Sequence, residues 1–148
     1  MKLHSRVATA LLALGVGCSS TAAMAEPAKK LLGILTSSDS DTQAMAFALM
    51  NSAAQAGTSV HLLLCSSAGD IALKDAPEAV KKPITPNGMS AQALMQALIA
   101  KGAKVDVCAI YLPNRKLKPD VLAEPVGVAN PQAIAAEMMD RETRLAAF

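Results

Sequence analysis

Short apolar runs of strand length, separated by segments of helix length, constrain this chain most. Leu31-Leu32-Gly33-Ile34-Leu35 is one run, and Val60 to Cys65, interrupted only by His61, is a second. Runs that do not alternate with polar residues indicate burial on both faces, as in a parallel sheet covered by helices. Between them, Ser40 followed three residues later by Gln43 fits a capping box, which opens a helix through Ala44, Phe47, Ala48, Met50 and Ala54 that Gly57 stops. Ser66 to Gly69 reads as a turn, Asp70 to Asp75 as a helical turn, and Lys81 to Gly88 as an exposed loop placed to cover a sheet edge. Ser90 caps an amphipathic helix with Leu94, Met95, Leu98 and Ile99 on its buried stripe and Gly102 as its stop. A strand from Lys104 to Ile110 follows, then a basic turn-rich stretch from Leu112 to Lys118 and a short strand Pro125 to Val128. Asn130-Pro131 caps a final helix ending near Met139 or Asp140. This order predicts a three-layer α/β/α domain with a mainly parallel sheet of four or five strands.

Residues 1–25 stand outside that argument. Lys2 and Arg6 form a positive start, Val7 to Val16 is a short apolar run, and Ala23-Met24-Ala25 supplies the small residues of a signal-peptidase site. So short a run does not span a bilayer of roughly 30 Å, and a soluble periplasmic protein cleaved near Ala25 is expected. Cys18 within Gly15-Val16-Gly17-Cys18 resembles a lipoprotein processing site but lacks the usual branched residue, so the soluble form ranks ahead. Residues 26–148 then form one domain of ordinary size. Lys2 and Arg6 account for the whole formal charge of +2, which removes the electrostatic case for nucleic acid or an anionic membrane. Aromatics are limited to Phe47, Tyr111 and Phe148, too few for base stacking. No metal or cofactor is implied: His61 is the one histidine after the leader, and the methionines of the helices read as core filler.

Two cysteines survive processing, Cys65 and Cys108. In an open α/β sheet, reactive groups gather at the carboxyl ends of the strands, which puts Thr36 to Asp39, Cys65 to Ala68 and Cys108 to Arg115 on one edge. A thiol there, beside Arg115 and Lys116, can be partly ionised. Against this, free cysteine is among the most buried residue types, and an oxidising compartment favours a disulfide. A Cys65–Cys108 bond requires Cα atoms about 4.4–6.8 Å apart, which the sequence does not decide. Ser37, Ser38 and Asp39 form a candidate binding loop, although helix capping explains their types more simply. His61, flanked by Val60 and Leu62, reads as a satisfied structural histidine.

The segment Lys101-Gly102-Ala103-Lys104-Val105-Asp106-Val107-Cys108-Ala109, with Leu112 and Arg115, resembles the cysteine strand of the DsrE/DsrF/TusD (YchN-like) family. The likeness extends over about residues 31–140. It implies a homo-oligomer, trimer or hexamer, and a cysteine, here Cys108, that carries sulfane sulfur as a persulfide between donor and acceptor proteins. Arg115 and Lys116 would then favour the thiolate. The relay members work in the cytoplasm, whereas this chain carries an export signal. A non-catalytic oligomeric binding module and a thiol redox sensor using Cys65 and Cys108 remain the alternatives.

Overall fold

The computed structural model describes residues 29–148 apart from 85 and 87. The expected leader, its cleavage near Ala25 and Cys18 lie outside the described residues. Five strands form one parallel sheet: β1 (Lys30–Leu35), β2 (Ser59–Leu64), β3 (Lys104–Val107), β4 (Gly127–Val128) and β5 (Thr143–Ala147), in the order β4-β3-β2-β1-β5. Every strand pairing is parallel. Helices α1 (Ser40–Gln55), α2 (Glu78–Lys81), α3 (Ala91–Ala100), α4 (Tyr111–Arg115) and α5 (Pro131–Met139) complete the α/β/α layers. None of the described helices is long and apolar enough to cross a membrane.

Side chains alternate across the sheet and so divide it into two faces. Gly33, Leu35, Val60, Leu62, Leu64, Val105 and Val107 face α1 and α3, and the larger of them pack with Phe47, Met50, Met95 and Leu98 in the main core. A Cβ at Gly33 would come within 2.7 Å of the Met50 methyl, so a side chain there would require the end of Met50 to move. Leu32 and Leu63 point the other way, into a smaller cluster with Ala129, Ile34, Ile134 and the two cysteines. Among the described helices α5 is the one that packs on that second cluster, through Ile134, and none of its residues is fully buried.

The helix boundaries largely follow local chemistry. Gly57 and Gly102 take positive φ values of 84° and 87° just beyond α1 and α3, as the expected stops require. Ser90 caps α3 by accepting the Ala93 N–H at 3.2 Å, and Asn130 caps α5 through Gln132 and Ala133. At α1 the cap is Asp39, not Ser40: its carboxylate accepts the Thr42 N–H at 2.8 Å, and Gln43 reaches back to the Ser37 carbonyl at 2.9 Å. A carboxylate there both satisfies an orphan donor and opposes the positive helix end.

Elsewhere the fold departs from the sequence reading. The strand expected to reach Ile110 stops at Val107, and the basic stretch is helical over Tyr111–Arg115, ended by Lys116 at φ 55°. Tyr111 and Leu112 are buried, and Pro113 sits in the first turn, where its missing N–H leaves no intrahelical bond unmade. A 3-10 helix occupies Ser66–Ala72 in place of a helical turn at Asp70 to Asp75. Of the segment expected to be a loop, Ile84 and Pro86, with Met89 just beyond it, lie beside α1 and α3 rather than at a sheet edge, and Ile84 and Met89 form an antiparallel bridge. Strand β5 was not foreseen. Its sequence Thr-Arg-Leu-Ala-Ala has little burial signal, and it is held by pairing with β1.

Candidate functional site

The sheet register brings the cysteines together. His61 pairs with Lys104 and Leu64 with Val107, so the ladder offset continues to Cys65 opposite Cys108, whose sequence separation is 43 residues. Both lie one residue past a strand end: the Cys65 N–H donates to the Leu35 carbonyl at 2.9 Å, and the Cys108 N–H to the Leu64 carbonyl at 3.0 Å. Their Cα atoms are 5.0 Å apart and the sulfurs are joined in a disulfide. The pair is half-buried, packed with Ile134 in the first turns of α5 and with Ala129. Beside Cys108 the chain opens outward, and Ile110 is 69% exposed.

Asn130 and α5 follow from the neighbouring strand. The Ala129 N–H donates to the carbonyl of Val107, the residue before Cys108, at 2.9 Å. The amino end of α5, capped by Asn130 and carrying the positive partial charge of a helix start, therefore begins next to the Cys108 backbone.

Arg115 shares this edge, but its contacts run elsewhere. Its guanidinium lies 3.3 Å from the Asp70 carboxylate and 4.3 Å over the Tyr111 ring. The Tyr111 hydroxyl donates to Asp70 at 2.8 Å, and burial together with Asp70 pushes the phenol well above its ordinary range. Gly69 permits this packing, because a Cβ at that position would overlap the Tyr111 ring. Lys116 is an exposed left-handed cap. Of the hydroxyl loop, Ser37 accepts the Asp39 N–H at 3.0 Å, Ser38 is exposed, and Asp39 is held below its usual carboxylate range by the Thr42 N–H and hydroxyl.

A second polar cluster occupies the opposite end of the same face. His61 is 7% exposed, and its two ring nitrogens face two carboxylates, Nδ1 to Glu137 at 2.7 Å and Nε2 to Asp106 at 3.1 Å. Lys104 adds an ion pair to Asp106 at 2.8 Å. Both ring nitrogens are thus engaged, and the histidine ties β2 to β3 through Asp106 and to α5 through Glu137. Gly127 makes room, since its Cβ would stand 2.6 Å from the Asp106 carboxylate. Nearby, the Lys30–Asp140 pair at 2.6 Å raises the lysine and lowers the carboxylate by hydrogen bond and charge.

The structural histidine expected at position 61 is thus satisfied, but its partners were missed. One signal was available: Lys104, Asp106 and Cys108 alternate through an otherwise apolar strand and mark one face as polar. Glu137 gave no such signal. A cavity of about 630 Å³ lies between α1, α3 and the 84–89 turn, lined by Met45, Ala48, Ile84, Met89 and Leu94, and does not reach either cysteine. Among the described residues no cluster of three or more ligating side chains could hold a metal ion.

Residues 29–143 match the DsrE/DsrF-like family. The chain belongs to that family. Solved structures with the same fold include the YchN protein of E. coli, at 16% identity and TM-score 0.61 over 81% of this chain and 99% of that one. A protein of unknown function from Bacteroides thetaiotaomicron follows, at 12% identity and TM-score 0.59 over 81% and 95% of the two chains. Another from Methanobacterium thermoautotrophicum gives 12% identity and TM-score 0.55 over 80% and 97%. No curated protein matches the chain. In this DsrE/DsrF-like chain Cys108, the cysteine singled out by resemblance, is bonded to Cys65 at the end of the neighbouring strand.

Proposed function

We propose that this is an exported DsrE/DsrF-like protein that carries sulfane sulfur on Cys108 when its cysteines are reduced. The observation that carries the reading is the position of Cys108, half-buried at the carboxyl end of a central strand, with the amino end of α5 beginning beside it. That end favours the thiolate, the form that attacks sulfur. Arg115 and Lys116 add positive charge on the same edge, with Arg115 acting at longer range because Asp70 and Tyr111 hold it. Ser37, Ser38 and Asp39 follow β1, which neighbours β2 and its Cys65, and form the proposed rim for the donor.

In the loading step the Cys108 thiolate attacks the outer sulfur of a donor persulfide R–S–SH. The donor S–S bond breaks, RS⁻ leaves with its electron pair, and Cys108–S–SH forms. Reduced protein treated with a low-molecular-weight persulfide, quenched rapidly in acid and mapped by mass, is expected to gain one sulfur on Cys108. Unchanged uptake by Cys108→Ser would sink the reading.

Export rests on the leader at residues 1–25, and the periplasm is the proposed compartment. The assembly is proposed to be a trimer or hexamer of this chain. Its support is the outward apolar side of α5, where Met138 and Met139 are 46% and 83% exposed. Light scattering of the mature protein checks it, and a monomer would refute it. A second reading, reversible redox sensing, is favoured by the bonded pair itself, and it needs both cysteines to respond.

A further inference from the structure

We infer that Cys65 is a resolving nucleophile, so that sulfur loaded on Cys108 is released as hydrosulfide and the protein works as a sulfane-sulfur reductase rather than a simple relay. This rests on the loading reading above. The observation beneath it is the register. Cys65 and Cys108 stand directly opposite at the ends of paired strands, 5.0 Å apart at Cα, and their sulfurs are bonded. A persulfide on Cys108 keeps its inner sulfur at the Cys108 Sγ position. That is the atom the Cys65 sulfur meets in the bonded pair, whereas the outer sulfur lies one bond further away.

The resolving step balances as follows. The Cys65 thiolate attacks Cys108 Sγ, a Cys65–Cys108 bond forms, the Sγ–SH bond breaks, and HS⁻ leaves with the electron pair. The product is the disulfide seen here. An external dithiol then reduces it through thiol–disulfide exchange, giving two thiols on the protein and a disulfide on the reductant. Summed over the cycle, one persulfide sulfur is reduced to sulfide at the expense of one dithiol. The arrangement suits an oxidising compartment, because the oxidised protein is an intermediate of the cycle and not a dead end.

The two outcomes of attack separate a reductase from a relay. Attack on the outer sulfur would move the sulfane atom to Cys65 and free the Cys108 thiolate, leaving no sulfide. The in-register geometry favours the inner sulfur, since no strand has to shift for it.

The test uses the mature protein, fully reduced and then freed of reductant, with one equivalent of a low-molecular-weight persulfide. Wild type is expected to release one equivalent of hydrosulfide per chain and to end as the Cys65–Cys108 disulfide. Cys65→Ala and Cys65→Ser are expected to hold the added sulfur on Cys108, with a lifetime longer by roughly a hundredfold or more, because an attack preorganised within one molecule has been removed. A wild-type protein that keeps a stable persulfide on Cys108, or passes it to Cys65 without sulfide release, would overturn the resolving role while leaving loading intact. Failure of folded Cys65→Ala and Cys65→Ser to take up any sulfur would instead remove the loading reading, and the inference with it.

Discussion

On the side of α1 and α3, the sheet presents Leu35, Leu62, Leu64, Val105 and Val107 to Phe47, Met50, Met95 and Leu98, all of them buried. On the side of α5 the same strands present His61, Asp106 and Lys104 at one end, Leu32 and Leu63 in the middle and the two cysteines at the other end. The first face is a continuous apolar core, in which burying each large side chain is worth about 1.5–3 kcal/mol. The second face gives most of its positions to groups that ionise or react. Helix α5 is built to match, turning its one charged residue, Glu137, inward to His61 while Met139 faces outward. One sheet thus separates what holds the fold from what the fold presents, because alternate residues of each strand point to opposite faces.

Three experiments probe that contrast. The largest effect is expected from Phe47→Ala, which opens a cavity in the apolar core at a cost of about 3–5 kcal/mol. Urea unfolding under reducing conditions measures it, and a cost no greater than that of changes on the α5 face would erase the contrast.

Next comes reduction of the disulfide, the strongest link on the second face. For a separation of 43 residues the chain-entropy argument gives about 4 kcal/mol. The unfolding midpoint should fall on adding reductant, while α1 and α3 keep their order of amide protection. A midpoint indifferent to reductant would show that the bonded pair does not contribute to stability.

The smallest effect is expected from His61→Ala, which leaves Asp106 and Glu137 facing an empty space. Lys104 still pairs with Asp106, and Glu137 is partly solvated, so the cost should be about 1–3 kcal/mol, the range for a buried group that loses one partner. Hydrogen exchange should locate it: amides of α5 lose protection and those of α3 do not. Equal loss in both helices would mean that the two faces are not separable in this way.

Much of the fold was legible because its signals are local. Glycines at 57 and 102, Ser90 and Asn130 act on the residue or turn next to them, and a helix end needs nothing more. Where two local solutions competed, the sequence was ambiguous: Asp39 and Ser40 both suit a cap, and the position of Thr42 beneath the carboxylate decided between them. The segment after Cys108 was misread for a different reason. Its basic residues suggested a solvated turn, but burial of Tyr111 against the 3-10 helix and of Leu112 in the main core winds it into α4.

From the sequence alone came the apolar runs, the helix stops, the alternation of strands and helices that makes a parallel sheet, and the placing of both cysteines at strand ends. Each follows from contacts within a turn or a strand. Tertiary structure decided the rest. It set the offset that aligns Cys65 with Cys108, the addition of β5 beside β1, the inward turn of Glu137 and the capture of Arg115 by Asp70 and Tyr111. Those depend on which distant segments lie side by side, and parallel strands acquire their register only when the crossover helices pack and bury one face.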